Sequence, residues 1–383
     1  MKTKRLVILT EIISPYRIPL FNALAQRDDL SLHVIFLAET DPALRQWHVY
    51  KDEIKFSFEV LPSWRRRIGS HNVLLNRGVA RGLESARPDV ILCGGYNYLA
   101  SWQSLLWARM RSIPFLLWSE STSYDLRGGR VWIEFLKDEF LQRCTGFVVP
   151  GISSREYLIS RGHKEHRIFT APNAVDNDLF KNGAETARRN DVQFRHELGL
   201  PQRYFLFVGR LVREKGVFDL LSAYANLDSE LRDTVGLVFV GDGAERERLQ
   251  EQARSISRGQ VLFAGFVHRD RLATYYGLAD ALILPSHTEP WGLVVNEAMA
   301  CGRAVLVSRA AGCAADLVRD GWNGKTFLPD DVTQLGDTMH CLASHPALCQ
   351  TMGSRSAERI RKHSPHSWCD GIAEAVEQLG VLH

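Results

Sequence analysis

The sequence predicts an α/β protein of two doubly wound, Rossmann-like domains, and three observations predict it. Short apolar runs alternate with longer amphipathic segments, the signature of buried parallel strands joined by helical crossovers. The pattern stops and restarts midway. A chain of 383 residues is also too long for one ordinary core.

In chain order, the apolar runs at 6–10, 32–37, 90–92, 115–118 and 147–149 read as strands of a first sheet. Around Ala171-Pro-Asn-Ala-Val-Asp176 the pattern breaks, and the polar stretch 181–191 reads as a linker. This sets the boundary near 173, with an N-terminal domain over 1–173 and a second domain over 174–364. The second set of strands is predicted at 205–208, 237–240, 261–263, 281–284 and 304–307. In the final segment, 365–382, Trp368, Ile372, Val376 and Leu379 fall at helical spacing, with Pro365 suited to the first turn. That helix needs a surface to dock on, and it is expected to cross back to the first domain.

Composition narrows the class. Hydrophobic residues make up 45% and charged residues 24%, as in a globular protein. A net charge of +3 with interspersed signs argues against a nucleic-acid partner. The seven scattered cysteines form no Cys-x-x-Cys pair, so reduced thiols in a cytoplasmic protein are expected rather than disulfides or a zinc site. The N-terminus Met1-Lys-Thr-Lys-Arg5 has the charge of a signal peptide, but the apolar run after it is too short. No stretch reaches the roughly 18 apolar residues of a membrane span, so any membrane contact would be peripheral. No internal repeat of 20 to 50 residues is evident.

Two stretches carry chemistry. In Leu284-Pro-Ser-His-Thr-Glu-Pro-Trp-Gly-Leu-Val-Val-Asn-Glu-Ala-Met-Ala-Cys-Gly302, a strand end leads through a polar loop into a helix closed by glycine, with Pro290 in the first turn. Glu289 and Glu297 then lie up to about 12 Å apart along the helix axis. Glu297 shares a face with Val294 and Cys301, so its carboxylate needs donors such as ribose hydroxyls, or a neighbouring arginine. Most glutamate pairs at such spacing are plain surface residues, and only the surrounding context argues otherwise.

In Phe207-Val-Gly-Arg-Leu-Val-Arg-Glu-Lys-Gly216, a strand delivers a glycine turn, Arg210 and Lys215, and then a helix from about Val217. A helix N-terminus with two cations suits a diphosphate. Alone, two cations in a loop are usually solvated surface.

Together with Gly241-Asp-Gly243, Gly265-Phe-Val267 and Pro172-Asn-Ala-Val-Asp176, these stretches resemble glycosyltransferase family 4 over most of 140–330. The resemblance implies the two-domain GT-B fold with a central cleft, and a retaining transfer from a nucleotide-sugar that needs no metal or other cofactor. By position, Gly209, Arg210 and Lys215 would hold the donor diphosphate, Glu297 the ribose, and Glu289 the sugar-ring hydroxyls. The peptide groups of Trp291, Gly292 and Leu293 would meet sugar or phosphate, while Phe266 and Val267 would border the base. Arg210, Lys215 and Glu289 are the residues expected to act in catalysis. UDP is weakly preferred over GDP. The acceptor would be a glycan, a lipid-linked glycan or a small-molecule hydroxyl, in cell-surface polysaccharide or glycoconjugate synthesis.

The first half departs from the family. Where relatives carry a glycine pair, this chain has Ile13-Ser-Pro-Tyr-Arg-Ile-Pro19, so Tyr16 or Arg17 is expected on the acceptor side. Where relatives carry a histidine, it has Leu117-Trp-Ser-Glu120, which makes Glu120 an acceptor-side candidate. At Ala311-Gly-Cys-Ala-Ala-Asp316, Asp316 replaces a glutamate as a loop or helix cap. Asp176-Asn-Asp178 mimics a metal motif but reads as a helix cap or turn. Trp64-Arg-Arg-Arg-Ile68 reads as a solvated basic turn, and 102–111, which contains Trp107 and Met110, as a helix packed in the core. Their other reading is contact with an anionic membrane surface.

Rival readings remain. A phosphorylase or sugar-nucleotide epimerase of the same fold, or a catalytically idle binding partner, would share the motifs. An NAD-dependent oxidoreductase is disfavoured because no Gly-x-Gly-x-x-Gly follows a strand.

Overall fold

The structure is a computed structural model that describes residues 3–41, 48–68, 71–124 and 131–379. The chain divides into two compact units, one of Met1–Asn173 with Pro365–His383 and the other of Ala174–Ser364. The sequence start Met1-Lys2 and the tail beyond Leu379 lie outside the described residues.

The first unit holds β1 (Lys4–Thr10), β2 (Leu30–Phe36), β3 (Ser57–Val60), β4 (Ser63–Ile68), β5 (His71–Asn76), β6 (Val90–Cys93), β7 (Phe115–Trp118), β8 (Gly146–Val149) and β9 (Ile168–Thr170). Seven of these form one parallel sheet in the order β3-β2-β1-β6-β7-β8-β9. The order reverses between β1 and β6, and in such sheets the crevice beyond the carboxyl ends of the strands at the reversal takes ligands.

The second unit holds β10 (Tyr204–Val208), β11 (Gly236–Val240), β12 (Val261–Gly265), β13 (Ala281–Leu284), β14 (Ala304–Ser308) and β15 (Gly324–Phe327). They form a parallel sheet in the order β12-β11-β10-β13-β14-β15, reversing between β10 and β13. Alternate residues of β10 feed opposite faces: Leu206 and Val208 join one buried cluster, Phe205 and Phe207 the other. Both faces are therefore covered, which is why the strands read as unbroken apolar runs.

The terminal helix Pro365–Leu379 packs on the helix Ile18–Ala25 and on β9 within the first unit. Trp368, Ile372, Val376 and Leu379 are all buried there, with Trp368 against Phe21 and Trp118. Gly371 permits the approach, since a Cβ on it would meet the Thr170 carbonyl at 2.3 Å.

Several expectations need correction. The supposed linker at 181–191 is mostly a helix, Asn177–Arg189, with Phe180, Ala184 and Ala187 buried. Small residues let it lie close to the helix Arg269–Leu278: a Cβ on Gly183 would come within 2.6 Å of Ala273, and one on Gly277 within 2.8 Å of Ala184. Its polar composition reflects the solvent face. Asp176 caps it by accepting from the Leu179 amide at 3.0 Å. Asp316 lies inside the short helix Ala314–Leu317 rather than capping it.

The basic run at 64–68 is not a turn but strand β4, paired antiparallel with β5. Arg65 is ion-paired with the buried Asp41, and Trp64 is half-exposed. In the helix Leu99–Met110, Trp107 is buried as expected, but Met110 faces solvent. All seven cysteines are free. Among the described residues, no helix is long and apolar enough to cross a membrane.

Candidate active site

The two loops that carry the predicted charges leave adjacent strands at the reversal of the second sheet. The loop after β10 carries Gly209, Arg210 and Lys215 into the helix Val217–Ala225. The loop after β13 carries Glu289 into the helix Leu293–Ala300. Close backbone packing fixes the first loop against its neighbours. A Cβ on Gly241 would meet the Gly209 carbonyl at 1.9 Å, and one on Gly216 the Pro285 carbonyl at 2.0 Å. Gly216 also sits at φ +64, in the left-handed region that glycine favours.

Lys215 and Glu289 meet: Nζ lies 2.5 Å from Oε2, and both side chains are largely buried. Such a pair is tightly committed, because removing one partner leaves the other charge poorly solvated. Arg210 is different. Its side chain is half-exposed, and its ion-pair partner is Glu214, at 3.7 Å.

Gly292, at φ +98, is the N-cap, so Pro290 precedes the helix rather than entering its first turn. The Trp291 indole is buried and donates to Asn296 Oδ1 at 2.9 Å, which anchors the loop. The Trp291 carbonyl accepts from the Cys313 amide at 3.1 Å, and the Glu289 carbonyl from the Gly312 amide at 2.9 Å. The first amides of the helix, from Leu293, have no partners within it and point out of its N-terminus. Gly302, at φ +71, closes the helix as expected.

Among the described residues, no arginine pairs with Glu297. The Tyr276 hydroxyl donates to its Oε2 at 2.6 Å. The residue as a whole is half-buried, but its carboxyl lies among densely packed atoms, and burial pushes its pKa up to about 7 against the opposing hydrogen bond from Tyr276. The same neighbourhood drives the Tyr276 hydroxyl well above its usual range, first by burial and then by the Glu297 charge. Tyr276 was invisible to sequence reasoning because it comes from the distant helix Arg269–Leu278, which carries no motif. Phe266 is partly exposed after β12, edge-on to His268 at 5.0 Å, while Val267 packs against the core.

In the first unit, Tyr16 and Arg17 line a recess beyond the ends of β1 and β6, at the reversal of that sheet. Arg17 is held in place: Nη1 donates to Thr10 Oγ1 at 2.6 Å, and the guanidinium lies 4.5 Å from the Trp118 ring centre. The recess also holds Glu11 and Tyr98, which sequence reasoning passed over. Burial, and then the hydrogen bond to Glu11, push the Tyr98 hydroxyl well up. Glu120 lies beyond β7 and accepts from Asn173 Nδ2 at 3.0 Å; it is not among the recess-lining residues.

Residues 189–359 match the family "Glycosyl transferases group 1", and residues 20–179 match "Glycosyltransferase Family 4". An alpha-D-kanosaminyltransferase of Streptomyces kanamyceticus is 30% identical over 321 residues, which covers 81% of each chain. A glycogen synthase of Mycobacterium tuberculosis is 27% identical over 299 residues, 77% of this chain and 69% of that one. Among solved structures, Anabaena HepE in complex with UDP and glucose superposes with a TM-score of 0.77 at 20% identity, covering 98% of this chain and all of the other.

Proposed function

Since this chain belongs to glycosyltransferase family 4 and is a GT-B glycosyltransferase, we propose that it moves a sugar, with retention at the anomeric carbon, from a nucleoside-diphosphate sugar to an acceptor hydroxyl. The observation that carries this reading is the Lys215–Glu289 pair at the reversal of the second sheet. There a cation and a carboxylate face each other at 2.5 Å, beside a helix N-terminus. An arriving diphosphate takes Lys215 from Glu289, and the released carboxylate accepts from the sugar hydroxyls. Glu297 accepts from the ribose. Arg210, half-exposed and in a long ion pair with Glu214, joins Lys215 on the phosphates, and the amides from Trp291 to Leu293 complete the cradle. UDP is preferred as the nucleotide, in keeping with the UDP bound by HepE.

In the transfer step the bond from the anomeric carbon to the diphosphate oxygen breaks. A new bond forms to the acceptor oxygen, whose proton leaves with the nucleoside diphosphate. Cations already in place stabilise the charge that develops on the leaving group, so no metal is needed. The two glutamates act as clamps, on sugar and on ribose, rather than as the acid and nucleophile of a hydrolase.

The acceptor side falls to the recess of Tyr16 and Arg17, with Glu120, which accepts from the Asn173 side chain, as a further acceptor-side candidate. The acceptor is a glycan or a lipid-linked glycan of cell-surface polysaccharide synthesis, met by a cytoplasmic enzyme at the membrane face. Solvent-facing Leu106, Met110 and Trp64 support that peripheral contact.

The test is a panel of UDP-, GDP- and ADP-sugars incubated with and without candidate acceptors. Release of nucleoside diphosphate that depends on acceptor is the expected result. Interconversion of the nucleotide-sugar with no acceptor would indicate an epimerase, and phosphate-dependent release of sugar phosphate a phosphorylase.

A further inference from the structure

Three side chains that the proposed transfer does not use meet where three connections leave the carboxyl ends of the second sheet. Asp219 lies in the first turn of the helix Val217–Ala225, His287 in the loop after β13, and Asp330 after β15. His287 Nε2 lies 2.6 Å from Asp219 Oδ2 and 3.2 Å from Asp330 Oδ1. One ligand atom from each of the three fits within 4.8 Å of the others, the one such grouping among the described residues.

A neutral imidazole nitrogen can give one hydrogen to one acceptor. Two carboxylate oxygens converging on a single ring nitrogen are better served by a shared cation. The side chains of Asp219 and His287 are roughly one-quarter to one-third exposed and that of Asp330 is open, so an ion can enter from solvent. A recess bounded by Gly216, Phe218, Asp219 and His287 opens beside the pair and has room for water ligands. Arg213 and Arg248 also border it, yet both guanidiniums lie near the Phe218 ring, and Arg213 is bonded to Glu245 at 3.0 Å.

We infer that Asp219, His287 and Asp330 form a site for a divalent cation of the Zn²⁺ class. One imidazole nitrogen and two carboxylate oxygens suit Zn²⁺, with water in the remaining position. The ligand set argues against Mg²⁺, which prefers all-oxygen octahedral sites. Three protein ligands and one water leave the ion exchangeable, unlike a closed four-ligand structural site, so it acts as a removable clamp. It ties the loop that carries Glu289 to the helix that follows Lys215; the His287 amide already joins the same loop to the turn before that helix by donating to the Glu214 carbonyl at 3.0 Å. It takes no part in bond breaking.

The full chain, stripped with chelator and dialysed, is titrated with ZnCl₂ by calorimetry and then melted with and without the ion. The wild type is expected to bind one equivalent that Asp330→Asn and His287→Gln bind at least tenfold more weakly. At a hundredfold excess over Kd the wild type melts about 5 °C higher, and the variants lose that gain. Asp330 is exposed, so its variant tests the site without threatening the fold. Equal stoichiometry and equal melting shifts in wild type and both variants would place Zn²⁺ on other histidines or cysteines and overturn the site, as would no binding. Weakening in His287→Gln alone would exclude Asp330 and overturn the three-ligand arrangement.

Discussion

The two sheets place charged loops at equivalent positions, and they hold their cations in different ways. At the reversal of the second sheet, Lys215 faces a carboxylate that a ligand can displace. At the reversal of the first, Arg17 is fixed by a hydroxyl and an indole, partners that a ligand does not readily replace. The first arrangement suits a site that must exchange partners with a charged diphosphate. The second suits a fixed positive wall beside a mostly neutral acceptor.

The largest effect that would sharpen this contrast is on stability. Trp368→Ala removes a fully buried indole from the first unit and should cost about 3–5 kcal/mol. Followed by calorimetry, the loss should lower the melting of that unit while the folded protein still binds nucleotide. A Trp368→Ala protein that melts like wild type would mean that the terminal helix does not complete the first unit.

Next come Lys215→Ala and Glu289→Ala, each expected to lower the transfer rate by about 10²–10³-fold. Because the two side chains are partners, the double variant should lose less than the product of the single losses. Purely multiplicative losses in steady-state rates would show that the pair does not act as a unit.

Glu297→Gln should act in opposite directions on stability and binding. The folded pKa near 7 exceeds the ordinary value of 4.5, so the native state holds an extra proton between those limits. The stability due to the neutral acid is complete below pH 4.5 and is lost as pH rises through 7. At pH 8 the ligand-free variant should therefore be more stable than wild type by about 2–3 kcal/mol. Its nucleotide affinity should be weaker, and the rise in wild-type affinity as pH passes from 6 to 8 should be absent. Chemical denaturation and titration at both pH values check this; a destabilised variant at pH 8 would contradict it.

The smallest effect is at the other region. Arg17→Ala forfeits a cation–π contact worth about 1 kcal/mol and should raise the acceptor KM while leaving acceptor-independent donor hydrolysis unchanged. Equal changes in both activities would remove Arg17 from the acceptor side.

Which of these features can be read from sequence follows from how local their causes are. The buried parallel strands show as apolar runs because both faces of each sheet are covered, and Gly209, Gly216 and Gly292 mark turns that need them. Strand β9 has only three residues, and β15, Gly-Lys-Thr-Phe, has no apolar run to mark it. The helix Asn177–Arg189 is hard to read over 181–189 because beyond Phe180 its contact face is the small residues Gly183, Ala184 and Ala187. β4 was hidden because pairing with β5, not its own arginine-rich sequence, makes it a strand. In the site, the motifs name Lys215, Glu289 and Glu297. They do not show that Lys215 and Glu289 face each other across 74 residues, or that Tyr276 holds Glu297. Those pairings exist only once the loops are folded together.

The exchange of partners at Lys215 is tested most directly by titrating UDP, which lacks the sugar, into three proteins. With UDP the Glu289 carboxylate has no sugar hydroxyls to accept from and only competes for Lys215. Calorimetry should therefore show affinity falling about tenfold or more in Lys215→Ala and rising in Glu289→Gln, relative to wild type. Affinities that fall alike in both variants, or move in neither, would contradict the exchange.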